Sequence, residues 1–508
     1  MGKRISRTQR AYLNTVLGLG YEVVAIICGL IVPRLILATF GSKYNGLTSS
    51  ITQFISIIAL LKAGIGGVSR AALYKPLAEN DTETMSQIVV ATENYLRKIA
   101  TVFLVFIVAL AALYPVVINR EFSWTFASSL VLIISITTFG QYYFGLTYQN
   151  FLMADQKQYI VSIVEIFTLV INTIVAAILI NVGCGIHVVK LGSAIVFLFQ
   201  PFFLREYTIR KYKLNLKTKP HEGVLKQKWD AIGHAVANFI NSNTDIMVLT
   251  IFSALTEVSV YTVYNYVIAN LRKVINTFVT GFGAAFGDMN ARNQTELMKE
   301  NMGIYETIVF SLATIAFSVT LVLICPFAII YTHNVHDVEY YRPIFALVIT
   351  LAGAFMCYRV PYQTVVYSIG HYKETRNGAF AEAIINILIS VICVIKWGLI
   401  GVAIGTLVAA VIRSFQYARY ISKNVLGRNL SSFIIHVVLS LIVMGALYAA
   451  SLFFTVQNTI RSWLIHGVLF IAISTCLTFL FNLLFFKNDT FLAIKKMMRA
   501  FRKKRGLQ

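Results

Sequence analysis

Polar side chains follow one face of two consecutive apolar segments near the middle of the 508-residue sequence. The first segment, 229–252, carries four of them at spacings of four, three and four residues: His234, Asn238, Asn241 and Asp245. The second, 258–285, carries four more at spacings of four, seven and four: Tyr261, Asn265, Arg272 and Asn276. A helix places residues at these spacings on one side. Two neighbouring helices with such faces are typical of the walls of a water-filled cavity.

Arg272 is the strongest candidate for binding an anion. It lies about fourteen residues into an apolar segment, too deep to reach a membrane interface easily. A charge at the centre of a bilayer costs at least about 2.5 kcal/mol, so it requires a polar cavity or a partner. Lys273 follows at roughly 100° around the helix and faces either the edge of the same cavity or a neighbouring helix.

Three other cations lie inside apolar segments and are further candidate anion ligands: Arg34, Lys62 and Arg359. Arg34 and Lys62 lie within a turn or two of a helix end, so each is either a ligand or an anchor that reaches the interface. Arg359 has Gln363 four residues later, which repeats the polar-face pattern.

Four carboxylates inside apolar segments form a second group: Glu22, Glu165, Asp245 and Glu382. One interpretation is that they pair with nearby arginines or accept hydrogen bonds between helices. The other is that they couple the protein to an ion gradient. For Asp245 the structural alternative is an ion pair with Arg272 on the neighbouring helix.

The composition places the chain among polytopic membrane proteins. Hydrophobic residues make up 57% of the sequence and charged residues 13%, far from the balance of soluble proteins. We expect an all-α fold with fourteen transmembrane spans near 12–39, 46–67, 95–117, 124–148, 158–181, 186–208, 229–252, 258–285, 303–331, 343–367, 377–396, 399–421, 432–455 and 463–486.

The distribution of basic residues predicts that both termini are cytoplasmic. With the N-terminus inside, only six Lys and Arg fall in or beside the outward connections: Lys43, Arg120, Lys190, Arg342, Lys396 and Arg461. The net charge of +22 thus reflects topology and proximity to anionic membrane lipids. No nucleic-acid-binding module accompanies the basic runs, so nucleic acid is not expected as a partner.

The first six spans and the next six are related as a parallel repeat. Tyr148-Gln149 corresponds to Tyr362-Gln363, and Glu165 lies opposite Glu382. An even number of spans in each half gives both the same orientation. The predicted domains are therefore a six-helix bundle at 1–212, a cytoplasmic linker at 213–228, a second bundle at 229–426, two extra transmembrane helices at 427–487 and a basic cytoplasmic tail at 488–508.

The sequence carries no signature of an enzyme or of a cofactor. It has no glycine-rich phosphate loop and no HExxH motif. The six cysteines are scattered without CxxC spacing, which argues against a metal site. We therefore expect a transporter without a cofactor or a catalytic site.

Two sequence runs and the arrangement of spans resemble a known family. The runs are PRLILATFGSKYNGLTSSITQF at 33–54 and GIGGVSRAALYKPLAEND at 64–81. With the repeat of six, six and two spans, the chain resembles the multidrug/oligosaccharidyl-lipid/polysaccharide (MOP) exporter superfamily. Within it, the chain resembles the bacterial polysaccharide repeat-unit flippases of the O-antigen and capsule type.

The resemblance implies a V-shaped pair of bundles in the bacterial cytoplasmic (inner) membrane. Such a flippase moves a polyprenyl-diphosphate-linked oligosaccharide between leaflets by alternating access, for polysaccharide biosynthesis. It also implies cationic ligands for the diphosphate, a role that suits Arg272, Lys273, Arg34, Lys62 and Arg359. Polysaccharide polymerase and chain-length machinery are implied partners.

Two other functions compete with the flippase interpretation. A MATE-like, cation-coupled drug antiporter would need a cavity dominated by acids and aromatic residues, whereas cations at least match acids here. A polysaccharide polymerase or ligase would be expected to have a large outward loop and no internal repeat. An anionic substrate is therefore favoured.

Overall fold

The computed structural model describes residues 7–62, 65–118, 121–221, 223, 232–279 and 281–504, apart from the side chains of 7–8, 232–238, 240–242, 279 and 497–504. These residues form eighteen α-helices joined by short connections, and no strand occurs among them. The chain divides into two compact units. The first comprises Met1–Phe239 with Ala254–Ser259, and the second comprises Ile240–Ser253 with Val260–Gln508.

The first unit is built from eight helices. They are α1 (Arg7–Phe40), α2 (Ser42–Ile55), α3 (Ile65–Glu79), α4 (Thr82–Val117), α5 (Trp124–Gly140), α6 (Leu146–Ala154), α7 (Gln158–Asn181) and α8 (Ile186–Tyr212). A 3-10 turn, Ser56–Leu60, extends α2, and the direction changes by 50° before α3. A π-helical turn, Gln141–Gly145, joins α5 to α6.

The second unit contains most of α9 (Ile232–Phe252) and the helices that follow it. These are α10 (Leu255–Val279), α11 (Phe282–Ala291), α12 (Thr295–Tyr331), α13 (Pro343–Tyr358), α14 (Val360–Ser368), α15 (Tyr372–Asn424), α16 (Ser431–Ser451), α17 (Ile460–Phe485) and α18 (Lys487–Lys504). Helix α18 is amphipathic and packs against α12.

The helix α15 is long because it joins two predicted spans across a kink. Gly398 lies at the kink with φ 50° and ψ −127°, a conformation that only glycine adopts without strain. The two arms then pack closely, since a Cβ on Gly401 would lie 2.3 Å from the carbonyl oxygen of Cys393. A Cβ on Gly405 would lie 2.1 Å from Ser390 Oγ. Small residues at these positions allow the backbones to approach.

The chain is a multi-pass membrane protein. Ten helices within the described ranges are long and apolar enough to cross a bilayer, and the bent pair at 42–79 would make eleven. That count treats α15 as one helix and leaves out α9 and α10, which also overlap predicted spans. Each of the fourteen predicted spans overlaps a helix, but the number fourteen itself stays a prediction.

The helices of the two units follow a similar order. The long helix α4 has 36 residues and its counterpart α12 has 37. Each is preceded by an asparagine with φ 56°, Asn80 in one case and Asn293 in the other. Proline lies near the end of each helix, at Pro115 and Pro326. This order supports the predicted repeat; the relative orientation of the halves stays a prediction, as do the domain bounds.

We predict that His336 is accessible from outside the cell and Lys219 is not. Both are exposed, on connections that the basic-residue bias assigns to opposite sides. In a cysteine-free background, a membrane-impermeant maleimide should label His336→Cys in intact cells and Lys219→Cys only after permeabilisation. Labelling of Lys219→Cys in intact cells would contradict the cytoplasmic position of this connection.

We predict that Gly401→Ala destabilises the protein because the added methyl group collides with the backbone of the other arm of α15. The cost should be about 1–3 kcal/mol, as for other overpacked sites. Gly445→Ala in α16 is the matched control, since no atom lies within 4 Å of its Cβ position. Thermal unfolding in detergent should show a lower Tm for the first variant and an unchanged or higher one for the second. Equal Tm values would show that the close packing at Gly401 is not needed.

Candidate functional site

A polar cavity of about 390 Å³ lies within the second unit, between α9, α10, α13 and α15. Its polar lining comes mainly from α10 and includes Asp245, Tyr261, Asn265, Arg272, Lys273, Asn276, Thr277 and Thr406. The apolar wall comes from α10 and α13: Ile268, Ala269, Ile349, Ala352, Gly353 and Met356. The predicted polar face of α10 therefore lines one cavity.

Asp245 forms a hydrogen-bonded end of this cavity. Its side chain is buried, and its Oδ2 accepts hydrogen bonds of 2.7 Å from both Tyr261 Oη and Thr406 Oγ1. Thr406 Oγ1 also lies 3.4 Å from Asn386 Oδ1. Helices α9, α10 and α15 are thus joined through one carboxyl group, whose Oδ2 accepts hydrogen bonds from two hydroxyls.

Arg272 has no hydrogen bond or ion pair to another described residue. In particular, no nitrogen of Arg272 lies within 4.0 Å of an Asp245 oxygen, so the predicted structural alternative, a direct ion pair, is not formed. The side chain is half-buried and borders the cavity. Its guanidinium has five N–H donors and a permanent charge, which suits an anion with several oxygens.

Gly353 shapes the apolar wall of the cavity. A Cβ at this position would lie 2.6 Å from Ile268 Cγ2 and 2.7 Å from Phe317 Cε1. Glycine therefore lets α13 approach α10 and α12 closely, and any larger residue would change the cavity.

Arg359 and Glu382 form an ion pair, which is one of the two predicted interpretations for Glu382 but differs from the predicted role of Arg359 as an anion ligand. Arg359 Nη1 lies 2.5 Å from Glu382 Oε1, and Arg413 Nε lies 3.5 Å from Glu382 Oε2. Glu382 and Arg413 are buried, and Arg413 also donates to the backbone oxygen of Thr375. Arg359 is thus engaged in a buried ion pair and does not line the cavity, because an unpaired Glu382 would be costly in this environment.

For the remaining candidates of the second unit, the structure describes the side chain of Lys273 but only the backbone of the others. His234, Asn238 and Asn241 belong to α9, but their side chains lie outside the described residues. Lys273 is exposed and lines the cavity beside Arg272, one of the two positions predicted for it.

The other candidates belong to the first unit. Arg34 and Lys62 are exposed, and Lys62 Nζ lies 5.5 Å from the centroid of the Tyr142 ring. Such a distance permits a cation–π contact. Glu22 is half-buried on α1. Glu165 Oε1 accepts long hydrogen bonds from Gln149 at 3.5 Å and Gln200 at 3.4 Å, so it joins three helices.

Two buried carboxylates escaped the sequence prediction. Glu93 lies 2.7 Å from Arg97 and 3.9 Å from Arg205, and Glu306 pairs with Arg428 and accepts a 3.0 Å hydrogen bond from Ser432. Both are the twelfth residue of a long helix, α4 in one unit and α12 in the other. The sequence signal that could have revealed them is an acid at the same position in these two corresponding helices. In the structure, both acids pair with arginines.

No protein-family model matches the sequence, and no curated protein matches it. Among solved structures, the chain is similar to the lipid II flippase MurJ in an inward closed conformation, with a TM-score of 0.73, 16% identity, and coverage of 94% of this chain and 99% of that one.

Two MATE transporter structures also match. An inward-facing multidrug resistance MATE family transporter of the MOP superfamily gives a TM-score of 0.56, 13% identity, and coverage of 80% and 98%. The MATE transporter VcmN of Vibrio cholerae in its bent form gives 0.50, 14%, and coverage of 85% and 100%. At these identities the likeness concerns the fold. The chain therefore has a fold shared with MurJ and with these MATE transporters.

Proposed function

We propose that the protein is a flippase that moves a polyprenyl-diphosphate-linked oligosaccharide across the bacterial cytoplasmic membrane by alternating access. The observation that carries the proposal is that Arg272 lines a polar cavity in a membrane-spanning bundle and has no hydrogen bond or ion pair to another described residue. A guanidinium at this depth requires compensation for its charge. A diphosphate provides it, since its oxygens accept paired N–H donors.

The cavity also favours an anion over a cationic drug. Arg272 and Lys273 border it with positive charge, and Asp245 is the one acidic residue among its described lining residues. The Asp245 oxygen Oδ2 is already bonded to two hydroxyl groups. A MATE-like antiporter for cationic drugs would need more acidic than basic residues in the cavity lining. It is therefore only the second candidate.

The similarity to MurJ supports a lipid-linked substrate, because that protein is named as a flippase of lipid II. The matched solved structures are transporters, and this supports a transporter over a polysaccharide polymerase or ligase. A role in O-antigen or capsule biosynthesis, the inner-membrane location with cytoplasmic termini, and cooperation with polymerase and chain-length machinery all belong to the proposal.

The cationic candidates divide into three roles under this proposal. Arg272 binds the diphosphate, and Lys273 supplies a second positive charge at the cavity edge. Arg34 and Lys62, both exposed in the first unit, are further ligands at another stage of transport. Arg359 is left out, since its guanidinium is committed to Glu382.

Asp245 is the carboxylate best placed to couple transport to an ion gradient. It borders the cavity, whereas Glu382 is held by two arginines. Glu165 bonds two glutamine amides, and Glu22 lies on α1, so both are less directly linked to this cavity. A carboxylate that exchanges a cation beside an anion site changes the local field, which can bias the cavity between two states.

We predict that Arg272→Ala reduces flipping of a fluorescent polyprenyl-diphosphate oligosaccharide in proteoliposomes by about 10- to 100-fold. This loss corresponds to one or two charge-assisted hydrogen bonds. Arg272→Lys should keep part of the activity, because the charge remains while the paired donors are lost. Arg292→Ala is the control, since Arg292 is exposed and pairs only with Asp288 at 3.0 Å.

Two outcomes would contradict this assignment. The first is flipping at the wild-type rate by Arg272→Ala. The second is recovery of flipping when Asp245→Asn is added to Arg272→Ala, which would mean that the two residues balance each other's charge. Protein amount in the membrane and Tm should match the wild type in either case.

We predict that Asp245→Asn makes flipping insensitive to ion gradients. Flipping by the wild type should slow when ionophores collapse the proton and sodium gradients across the proteoliposome membrane. No gradient then drives the binding and release of cations at Asp245. Wild-type flipping that continues unchanged after both gradients are removed would show that transport is passive and driven by consumption of the product.

A further inference from the structure

A second cavity, of about 620 Å³, lies at the end of the second unit where α12 turns into α13. Two connections predicted to be extracytoplasmic meet there: the α12–α13 connection and the α16–α17 connection, which contributes Asn458. The polar lining is Thr332, His333, His336, Asp337, Glu339 and Asn458.

The α12–α13 connection is held in place by hydrogen bonds to its backbone. Tyr264 Oη donates to the backbone oxygen of Tyr340 at 2.7 Å and accepts from the backbone nitrogen of Arg342 at 3.3 Å. Arg342 Nε donates to the backbone oxygen of Glu339 at 3.1 Å. Tyr340 is itself buried. The connection therefore presents its side chains from a fixed backbone, which lowers the entropy cost of binding.

The lining chemistry selects for hydroxyl groups. Carboxylates accept hydrogen bonds through two oxygens, while imidazole and amide groups both donate and accept. No lysine or arginine is among the described residues that line the cavity, so the carboxylates of Asp337 and Glu339 would repel a phosphate or uronate. No three potential metal ligands converge within the described residues, which disfavours a metal ion. A neutral molecule with many hydroxyls fits this set of groups.

We infer that this cavity binds neutral sugar residues of the oligosaccharide on the extracytoplasmic side. The inference deepens the proposed function and rests on it. The volume falls within the range of small-molecule sites, about 300–1,000 Å³. The two cavities then bind different parts of one substrate. The cavity lined by Arg272 binds the diphosphate through positive charge, and the cavity at the α12–α13 connection binds the sugars through hydrogen-bond acceptors for their hydroxyl groups.

A glycan array tests the inference with the purified, fluorescently labelled full-length protein in detergent. The array carries neutral oligosaccharides and acidic ones with uronate, sialate or phosphate groups, and its dense display strengthens weak binding. Binding should be confined to neutral glycans. In Asp337→Asn/Glu339→Gln the signal should fall about tenfold or more, as expected for lost charge-assisted hydrogen bonds. Asp288→Asn, at an exposed carboxylate outside the cavity, should bind as the wild type does.

Four results would overturn the inference. They are absence of binding to every glycan, binding confined to acidic glycans, equal binding by the Asp337/Glu339 variant, and binding abolished by EDTA, which would make the cavity a cation site. His336→Ala supplies a second variant if the first has a lowered Tm. Arg272→Ala should keep glycan binding while losing flipping. A wild-type protein that binds neutral glycans but flips no lipid-linked substrate would count against the flippase proposal alone.

Discussion

The cost of placing a charge inside a bilayer governs the arrangement of this protein. Most of the deep charges are compensated by the protein itself. Glu382 lies between two arginines, Glu306 pairs with Arg428, and Asp245 accepts two hydroxyl donors. Arg272 has no such partner among the described residues and borders a polar cavity instead. Because an uncompensated charge is expensive, the lack of a described partner supports Arg272 as an anion ligand more strongly than the presence of an arginine alone.

Helical periodicity explains how much of the cavity could be predicted from the sequence. The residues that line it on α10 repeat at spacings of four and seven, so their shared face follows from 3.6 residues per turn. The apolar runs likewise indicate an all-helical membrane protein, and the structure agrees. These features depend on neighbours within one helix, which a sequence displays directly.

Features that depend on distant residues could not be predicted in this way. Arg359 and Glu382 are 23 residues apart, and Arg413 lies a further 31 along the chain, so no local spacing reveals that they form one cluster. Arg359 therefore looked like a free ligand. The sharp turn at Gly398 and the close packing at Gly401 likewise depend on which backbone faces each glycine. Compensation of charge is a property of the packed bundle, whereas periodicity is a property of the helix.

The two cavities of the second unit differ in charge, and this difference bears on how one chain can handle a substrate of mixed chemistry. A diphosphate-linked oligosaccharide has an anionic headgroup and a hydroxyl-rich glycan. A single site that attracted both would need cations and carboxylates side by side, and these would neutralise each other as Arg359 and Glu382 do. Separate cavities avoid this. Among the described lining residues, the first cavity combines Arg272 and Lys273 with one carboxyl group, Asp245, whose Oδ2 accepts from two hydroxyls, and the second has carboxylates but no lysine or arginine. Each cavity can then distinguish the diphosphate from the glycan both by the chemical group that it binds and by the one that it repels.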